Sequence, residues 1–407
     1  MTGTVETVVI GGGQAGLAVS HHLRQRGCEH VVLERGRIAE RWRSERWDSL
    51  HFQFPSRMMR LPGYAHRGAD RDGFMHRDGV VDFIASYAVR IAAPVLCGVK
   101  VDAVRLTDSG RFRVEAGPLT LNAANVVVAT GPYQSPRIPA AAVGLPPGIR
   151  QTTANRYTNP SELPPGGVLV VGSGASGCQI VEDLLVQGRP VHFALRGHRR
   201  VPRRYRGRDI GHWNEEMGLT DRTADQIPPG FRPPLLTGVR GGHTVDPRGM
   251  AARGATLLGS LRGVQDGRAY FEADLNTHLD AGDAAFRETL ASIDRFVDAR
   301  GVAAAPAGEF DADLAAPRRP VPEPGVLDLG QAGIGTVIWA LGYGCDFAWI
   351  KCPVFDDTGA PLHRRGVARV PGLYFLGLPR LHKIKSAFLW GVGEDAAHIA
   401  DRIHERA

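Results

Sequence analysis

The sequence predicts an α/β protein built from two similar strand–helix–strand units. Residues 8–16 read VVIGGGQAG and residues 168–177 read VLVVGSGASG, so an apolar run rich in valine meets a glycine turn twice. In both places a stretch with helical patterning follows the turn, and a second apolar run follows the helix. This alternation is typical of a parallel sheet with crossover helices.

Each unit divides into three predicted elements. The first unit comprises a strand over residues 5–10, a helix over 15–26 and a strand over 30–34. The second comprises a strand over residues 168–171, a helix over 177–187 and a strand over 190–196. Gly27 and Gly188 follow the two helices, where glycine commonly ends a helix.

Other patterned stretches predict elements outside these units. Residues 101–117 indicate a small antiparallel element, and continuous apolar runs indicate buried strands at 125–131, 336–343 and 372–379. A helix is predicted over residues 276–300, with an apolar stripe formed by Phe286, Leu290, Ile293 and Phe296. We assign this stripe to packing, and the helix could also serve an interface in a homo-oligomer.

Proline and glycine clusters predict the linkers between two domains. They lie at residues 144–148, 160–167 and 318–325. The chain is thereby divided into an outer domain of residues 1–148 and 326–407 and an inserted domain of residues 149–325. A partly helical insertion is expected within the inserted domain, over about 205–325.

Composition excludes several classes of protein. Apolar residues make up 43% of the chain, which is ordinary for a globular protein. No apolar stretch approaches the roughly 20 residues of a membrane span. The first strand leaves no room for a cleavable leader, so we expect a cytoplasmic protein. The five cysteines are scattered without a CxxC pair, which disfavours a disulfide framework, a zinc site and a redox-active pair.

The positive charge is concentrated in one short segment. The net charge is +7, and residues 196–208 contain seven arginines but only one aromatic residue, Tyr205. Nucleic-acid binding usually interleaves basic and aromatic residues, and this run directly follows the second unit. A phosphate-binding loop with a solvated fringe is therefore the favoured interpretation, and we expect no nucleic-acid partner.

The first glycine turn has the spacing of a dinucleotide-binding fingerprint, Gly11, Gly13 and Gly16. The first glycine permits a tight turn, the second lets the backbone approach a pyrophosphate, and the third lets the helix pack on the strand. The helix N-terminus then offers free N–H groups to the phosphates. Glu34 can accept hydrogen bonds from both ribose hydroxyls, which indicates FAD or NAD. The predicted contact set also contains Gln14, Ala15 and Arg35.

The second turn repeats this spacing with Gly172, Gly174 and Gly177. The following predicted strand ends in Arg196 instead of an acid. A carboxylate would repel a 2′-phosphate, whereas a guanidinium binds one, so we predict NADPH here with NADH as the weaker alternative. Ala175, Ser176 and Arg204 are assigned to the same site. Two such sites on one chain indicate a flavoprotein in which NADPH delivers hydride to FAD.

With these features in place, the sequence resembles the flavin-containing monooxygenases and their CzcO-like and YUCCA-like relatives over nearly the whole chain. The resemblance rests on GGGQAG with Glu34, RWR around Trp42, ATG at 129–131, GSGASG with Arg196 and WALGY at 339–343. It implies a glutathione-reductase-like fold of two Rossmann-like domains, with the NADPH-binding domain inserted in the FAD-binding domain. Further flavin contacts are implied for Arg41, Trp42, Val101, Ala129, Thr130, Gly131 and Leu389.

The resemblance also implies an oxygenation reaction on a small organic substrate. NADPH reduces FAD, and the reduced flavin reacts with O₂ to give a C4a-hydroperoxide that transfers one oxygen atom and releases water. The protein has to keep this species dry and hydrogen-bonded, and no metal is required. Gln53 falls where the animal-type members have an active-site asparagine, so its NH₂ group is expected to steady the peroxide. His51 and Phe54 are expected to border the same cavity.

Departures from the family pattern leave other activities open. Thr153 stands where the family fingerprint has a histidine, and the phenylalanine of that fingerprint is absent, which argues against Baeyer–Villiger activity. A non-oxygenating flavin oxidase or reductase without a redox-active disulfide is the second interpretation. The third is a flavin- or NADP-binding sensor without turnover.

The C-terminal stretch supplies further candidates for the flavin pocket, namely Ser386 and Phe388 beside Leu389. Lys383 and Lys385 are expected to be solvated. The alternative for these two lysines is that they provide positive charge for an acidic substrate.

Overall fold

A computed structural model describes residues 2–308 and 318–406 of the chain. The α-helices in these ranges are α1 (Gln14–Gln25), α2 (Glu40–Ser44), α3 (Arg77–Arg90), α4 (Ala175–Val186), α5 (Ile210–Glu216), α6 (Pro247–Ala252), α7 (Leu275–Arg300) and α8 (Val392–His404). Short 3-10 turns lie at Ser56–Met58, Ala140–Gly144, Pro160–Glu162, Leu219–Asp221, Ala224–Gln226, Val239–Gly241 and Ile384–Ala387.

The strands are mostly short outside the two central sheets. In chain order they are β1 (Thr2–Ile10), β2 (His30–Glu34), β3 (Arg60–Leu61), β4 (Tyr64–Ala65), β5 (Val95–Cys97), β6 (Ala103–Leu106), β7 (Phe112–Ala116), β8 (Leu119–Val128), β9 (Ser135–Pro136), β10 (Arg150–Thr153), β11 (Gly167–Val171), β12 (Val191–Ala194), β13 (Arg204–Tyr205), β14 (Arg208–Asp209), β15 (Thr256–Leu258), β16 (Leu261–Gln265), β17 (Arg268–Phe271), β18 (Val326–Asp328), β19 (Ile334–Trp339), β20 (Tyr343–Gly344), β21 (Ile350–Lys351), β22 (His363–Arg364), β23 (Val367–Ala368) and β24 (Leu373–Phe375).

The first sheet confirms the predicted parallel unit. Its strands β24, β8, β1, β2 and β5 are neighbours in that order and run parallel. The predicted antiparallel element is β6 and β7, which pair with each other and continue onto the first half of β8. Apolar side chains such as Val8, Val32 and Val126 are fully buried, because both faces of a parallel sheet are covered.

The second sheet repeats the plan in the order β10, β19, β11, β12 and β15, with every pair parallel. The sheet includes β19, which we had placed in the outer domain. Its residue Trp339 lies opposite Val171 of β11 and Thr153 of β10. A separate antiparallel sheet of β16, β17 and β18 belongs to the same half of the chain.

The two segments in which the chain passes from one sheet to the other pair with each other. Strands β9 and β20 form an antiparallel ribbon in which Pro136 lies opposite Tyr343. The Arg137 N–H donates to the carbonyl of Gly342 at 2.9 Å, and the rings of Tyr133 and Tyr343 lie 5.3 Å apart. We therefore propose a second domain of about 137–342, in place of the 149–325 inferred from proline and glycine clusters.

Helix α7 confirms the predicted packing helix and begins one residue earlier than expected. Phe286 and Ile293 on its apolar stripe are fully buried. The buried guanidinium of Arg200 lies 4.1 Å from the centre of the Phe286 ring and 2.9 Å from a carboxylate oxygen of Asp283. The stripe therefore packs against the chain that follows β12.

An ion-pair cluster joins the C-terminal segment of the first domain to the insertion of the second. Contrary to our expectation, Lys383 and Lys385 are not solvated. The Lys383 ammonium lies 2.9 Å from Asp221 and 2.8 Å from Glu394, and the Lys385 ammonium lies 2.8 Å and 2.5 Å from the same two carboxylates. Because their charges are matched within the protein, these lysines do not form a free acid-binding patch.

No helix in the described ranges combines the length and the apolar character needed to cross a membrane.

We predict that Asp221→Asn lowers the free energy of unfolding by about 0.5–1 kcal/mol at neutral pH, a modest effect because the cluster is part-exposed. Burial alone would raise the pKa of Asp221, but hydrogen bonds from Lys385 and Lys383 lower it below 3.8. A carboxylate whose pKa is lowered by folding stabilises the folded state above its ordinary pKa, and this stabilisation is lost as the pH falls through the lowered value. Urea unfolding of both proteins between pH 3 and 7 should therefore show a difference that shrinks only below about pH 4. Asp357→Asn, on an exposed loop, is the control; an equal effect of both variants would contradict the assignment.

Candidate functional site: two dinucleotide-binding loops

The first glycine turn requires glycine for steric reasons at two places. Gly11 has a φ of +118°, and a Cβ at this position would lie 2.5 Å from the carbonyl oxygen of Ala129. A Cβ on Gly16 would lie 1.9 Å from the carbonyl oxygen of Gly11. Helix α1 therefore packs against its own turn, and the turn packs against the end of β8, only because side chains are missing here.

The middle glycine leaves open space at the start of the helix. Gly13 is the N-cap of α1, and a Cβ there would meet nothing within 4 Å. No side chain caps the helix, and its first turn contains no acidic residue. Unpaired N–H groups and the positive end of the helix dipole thus face a space without a side chain, which fits a pyrophosphate.

Glu34 is held beside this turn by backbone donors. Its side chain is buried, and its carboxylate accepts the N–H of Gly12 at 2.6 Å and the N–H of Gly36 at 2.8 Å. Each carboxylate oxygen has two acceptor positions, so both keep capacity for a ribose hydroxyl. Val99 donates its N–H to the Glu34 carbonyl at 2.9 Å, which brings the segment leading to Val101 beside the same loop.

The end of β8 forms a second wall of this loop. The side-chain amide of Gln134 donates to the Thr130 hydroxyl at 3.0 Å and to the Gly131 carbonyl at 2.8 Å, which fixes the ATG turn. Arg41 donates to Glu45 at 2.7 Å and to the carbonyl of Tyr133. Arg41 therefore ties α2 to the residues that follow the ATG turn, and its contact with a flavin stays a prediction.

The second glycine turn repeats the backbone conformation and the close contacts of the first. Gly172 has a φ of +116°, and its Cβ would lie 2.5 Å from the carbonyl oxygen of Ala340. A Cβ on Gly177 would lie 1.8 Å from the Gly172 carbonyl oxygen. Gly174 is the N-cap of α4, has nothing within 4 Å of its Cβ position and carries no side-chain cap. Residues 340–342 thus do for the second loop what 129–131 do for the first.

Strand register corrects one comparison made from the sequence. Leu33 lies opposite Ile10 at the end of the first strand pair, and Ala194 lies opposite Val171 at the end of the second. One residue further on, Glu34 therefore corresponds to Leu195, not to Arg196. Strand β12 also ends at Ala194, two residues before the predicted end.

The register changes what distinguishes the two loops. Arg35 and Arg196 occupy corresponding positions, so both loops carry an arginine there. The acid is what differs, because the second loop has the fully buried Leu195 in place of Glu34. Arg35 lies 3.5 Å from the Glu45 carboxylate, whereas the exposed Arg196 guanidinium has no side-chain partner among the described residues.

Most of the other arginines in this run are engaged by the protein. Arg199 lies over the ring of Phe231, and Arg200 and Arg203 are buried in ion pairs. Arg204 donates to the carbonyls of Gly242 at 2.8 Å and Gly241 at 2.6 Å, so its guanidinium already has acceptors. Arg196 is consequently the arginine of the run that best fits a 2′-phosphate, and the loop 241–242 is the observed partner of Arg204.

Gln53 lies at the junction of the two domains. Its carbonyl accepts a 2.8 Å hydrogen bond from Arg203, whose guanidinium also pairs with Asp209 at 2.7 and 3.0 Å and lies 4.3 Å from the Phe74 ring centre. The Gln53 carboxamide makes no hydrogen bond to the described residues. A backbone anchored by a buried arginine therefore carries a polar side chain with free donors.

His51 lies on the same segment and is oriented by the backbone. Its Nδ1 is 2.9 Å from the carbonyl of Ser49, a contact that places the proton of the neutral ring on Nδ1. The ring packs edge-on against His76 at 5.2 Å between centroids. In this tautomer Nε2 is the acceptor nitrogen.

An aromatic cluster connects this segment to the C-terminal loop. Phe54 lies 4.6 Å from Trp390 and 5.6 Å from Phe388, while Phe52 lies 6.4 Å from Trp42 between ring centroids. Trp42 packs against the cores of both domains. Sequence reasoning missed Trp390 and Phe52, although the aromatic residues of FQF and FLW were the available signal.

Two C-terminal candidates have structural roles for their side chains. Leu389 is buried in the core of the first domain. The Ser386 hydroxyl accepts the N–H groups of His382 at 3.1 Å and Lys383 at 2.9 Å, which stabilises the turn. A cofactor contact by Leu389 would therefore come from its backbone, as would be the case for other residues of this turn.

The position expected to hold a histidine is satisfied in another way. Thr153 is buried at the end of β10, and its hydroxyl donates to the Asn155 side chain at 2.7 Å. The Tyr157 hydroxyl donates to Asp183 at 2.6 Å, and burial with this carboxylate raises the pKa of Tyr157 well above its usual value. The hydroxyl protons of Thr153 and Tyr157 are therefore both used in hydrogen bonds within the protein.

Comparison with known proteins places these loops in a wider group. A family model described as pyridine nucleotide-disulphide oxidoreductase matches residues 8–210. A CzcO-like oxidoreductase of Geobacillus kaustophilus (strain HTA426) is 31% identical over 403 residues, with 98% of each chain covered. A probable indole-3-pyruvate monooxygenase, YUCCA1 of Arabidopsis thaliana, is 31% identical over 204 residues, which is 46% of each chain.

A solved structure shows the same overall fold. The flavin-containing monooxygenase from Stenotrophomonas maltophilia superposes with a TM-score of 0.67 at 20% sequence identity, with 99% of both chains covered. The predicted arrangement of two Rossmann-like domains is thereby confirmed.

We predict that Gly12→Ala disrupts the first loop without unfolding the domain. The added Cβ would lie 2.9 Å from the Glu34 Cβ, so the carboxylate must leave its two backbone donors. Loss of two hydrogen bonds to a charged group should weaken flavin binding by roughly 10- to 100-fold. The measurement is the flavin content of the purified protein and the dissociation constant for added FAD. Gly148→Ala, where a Cβ meets nothing within 4 Å, is the matched control, and equal flavin loss in both variants would contradict the prediction.

Proposed function

The chain belongs to the flavin-monooxygenase-like family that includes the CzcO-like oxidoreductases, and from this membership we propose that it oxygenates a small organic molecule. It is an FAD- and NADPH-dependent oxidoreductase. In the proposed reaction NADPH, a proton, O₂ and substrate give NADP⁺, water and the oxygenated substrate. The oxygen-carrying species is a C4a-(hydro)peroxyflavin, and the acceptor is a nitrogen, sulfur or carbon atom.

The observation that carries this proposal is the pairing of two equivalent loops that differ in one charge. The first presents the Glu34 carboxylate, which suits the unmodified ribose of FAD. The second lacks that acid and carries an exposed arginine, Arg196, which suits the 2′-phosphate of NADPH. The same chain therefore offers one loop for the hydride donor and a second loop for the hydride acceptor.

The residues proposed to hold the two cofactors follow from these loops. For FAD they are Gly11, Gly13, Gln14, Ala15, Gly16, Glu34, Arg35, Arg41, Trp42, Val101, Ala129, Thr130, Gly131 and Leu389. For NADPH they are Gly172, Gly174, Ala175, Ser176, Gly177 and Arg196. When bound, the two cofactors supply the redox chemistry, and the chain supplies position and environment.

The residues proposed to act on the reacting oxygen lie at the domain junction. The Gln53 carboxamide has free N–H donors, and its backbone is fixed by Arg203. Arg203 also lies 2.7 Å from Asp209 in the second domain, so the position of Gln53 depends on how the domains dock. The His51 ring, with Nε2 as acceptor, is the proposed neighbour that can receive a proton.

Aromatic side chains give this junction the apolar surroundings that the proposal requires. Phe54, Phe388 and Trp390 lie within 4.6–5.6 Å of one another between ring centroids. Such a cluster would exclude water and slow the loss of H₂O₂ from a hydrogen-bonded oxygen adduct.

A non-oxygenating flavin oxidase is the second candidate. It is favoured by one observation, the Thr153 hydroxyl bonded to Asn155 where the family pattern has a histidine. The five cysteines are scattered and include no CxxC pair, so a redox-active disulfide of that type is no part of this candidate.

We predict that the protein reduced anaerobically by NADPH reacts with O₂ in two resolved absorbance phases. The first phase should give a long-lived species whose absorbance differs from that of both reduced and oxidised flavin, and the second should return oxidised flavin. Stopped-flow spectroscopy measures both. A single phase with stoichiometric H₂O₂ would support the oxidase instead, and absence of reduction by NADPH would contradict both candidates.

We predict that Gln53→Leu accelerates decay of the oxygenated species by roughly tenfold, because a hydrogen bond of about 1.5 kcal/mol is lost. The fraction of NADPH oxidation that appears as H₂O₂ should rise in parallel. Gln187→Leu, at an exposed position after α4, is the control. Unchanged decay in Gln53→Leu, with flavin reduction intact, would remove this residue from the proposal.

A further inference from the structure

Ser173 occupies the place in the second loop that Gly12 occupies in the first. Both residues follow the first glycine of their turn and precede the N-cap of the helix. In the first loop the Gly12 N–H donates to the Glu34 carboxylate at 2.6 Å. In the second loop no carboxylate is present at this place, and the buried Ser173 hydroxyl takes over the space.

The Ser173 hydroxyl makes two hydrogen bonds to one residue. It accepts the Arg196 N–H at 3.0 Å and donates to the Arg196 carbonyl at 2.7 Å. A single hydroxyl thus binds both polar groups of this residue's backbone, just beyond the end of β12. The Arg196 side chain is exposed and has no partner among the described residues.

Side-chain volume explains why a glutamate at the end of the second strand and a serine in the glycine turn do not occur in the same loop. A Cβ on Gly12 would lie 2.9 Å from the Glu34 Cβ, so the acid requires glycine at this position. Leu195, which corresponds to Glu34, is fully buried in the core of the second domain and leaves the space beside the turn free. A serine fits there only because the acid is missing.

We propose that Ser173 is a positioning residue that sets the nucleotide preference of the second loop by fixing Arg196 where a 2′-phosphate binds. The inference rests on the proposed role of Arg196 in NADPH binding. It adds that Ser173 holds the Arg196 backbone in the position which that role requires. Beside this turn the second loop has a neutral hydroxyl, whereas the first has the Glu34 carboxylate, which would repel a 2′-phosphate.

A fixed backbone also strengthens the contact that the arginine makes. An arginine side chain loses conformational entropy when it is immobilised, and ordering of its backbone adds to this loss. Anchoring both the N–H and the carbonyl of Arg196 removes the backbone part before the ligand arrives. The gain applies only to ligands that contact Arg196, so it acts on selectivity and not on binding in general.

The test compares two small probes that differ by one phosphate. Adenosine 2′,5′-bisphosphate and 5′-AMP are titrated into the FAD-containing protein by calorimetry, and the ratio of their affinities is the readout. We expect Ser173→Ala to lower the preference for the bisphosphate roughly three- to tenfold, the effect of losing a net hydrogen-bond contribution. Ser260→Ala removes a hydroxyl that bonds to Asp274 at 2.6 Å elsewhere in the same domain and is the matched control.

A double-mutant cycle with Arg196→Gln separates positioning from general loosening. If Ser173 acts through Arg196, Ser173→Ala should leave the ratio unchanged once Arg196 is replaced. Equal effects of Ser173→Ala in both backgrounds, or no effect in the native background, would overturn the inference. A native protein with no preference for the bisphosphate would instead overturn the proposed role of Arg196 itself. Because the readout is a ratio, a loss of affinity that is common to both probes cancels.

Discussion

The architecture depends on one close contact between a strand end and a glycine turn, which occurs in both domains. A Cβ atom on Gly11 would lie 2.5 Å from the carbonyl oxygen of Ala129. A Cβ atom on Gly172 would lie equally close, at 2.5 Å, to the carbonyl oxygen of Ala340. This contact fixes the turn, and the turn aims the N-terminus of the following helix into open space. The ribose-facing residues then follow from the strand register, which leaves only one or two positions to distinguish two cofactors.

Contacts between the domains converge on the segment that carries Gln53. Buried Arg203 binds Asp209 of its own domain and the Gln53 carbonyl of the other. The aromatic cluster around Phe54 and Trp390 covers one side, and the ion pairs of Lys383 and Lys385 hold the C-terminal segment against the insertion. The junction between the domains is therefore shaped by side chains that lie far apart in the sequence.

The sequence predicted the turns and helices, which depend on nearby residues, better than it predicted the features that depend on pairing between distant strands. Glycine spacing predicted both turns, and periodicity predicted α7 to within one residue. Arg196 was matched to Glu34 because each was taken as the last residue of its predicted strand, but β12 ends at Ala194, where it pairs with β11. The hydrogen-bond register and a count of 18 residues from the third glycine both match Glu34 with Leu195. The proline and glycine clusters put residues 334–339 in the outer domain, whereas these residues pair in the second sheet. Nothing in their composition reveals which of the two sheets accepts them. Trp390 and Arg203 acquire their roles only from distant partners.

The paired ribbon of β9 and β20 has a mechanical consequence. Because Pro136 and Tyr343 lie opposite each other, both chain crossings run through one narrow strip and not through two separated tethers. Two separated tethers would lock the angle between the sheets, whereas one strip leaves a single axis of rotation. Rotation about such an axis would change the distance between the two glycine turns with little change in either sheet. The hydrogen bond from Arg203 to the Gln53 carbonyl and the ion pairs of Lys383 and Lys385 with Asp221 hold the two domains at one angle about that axis.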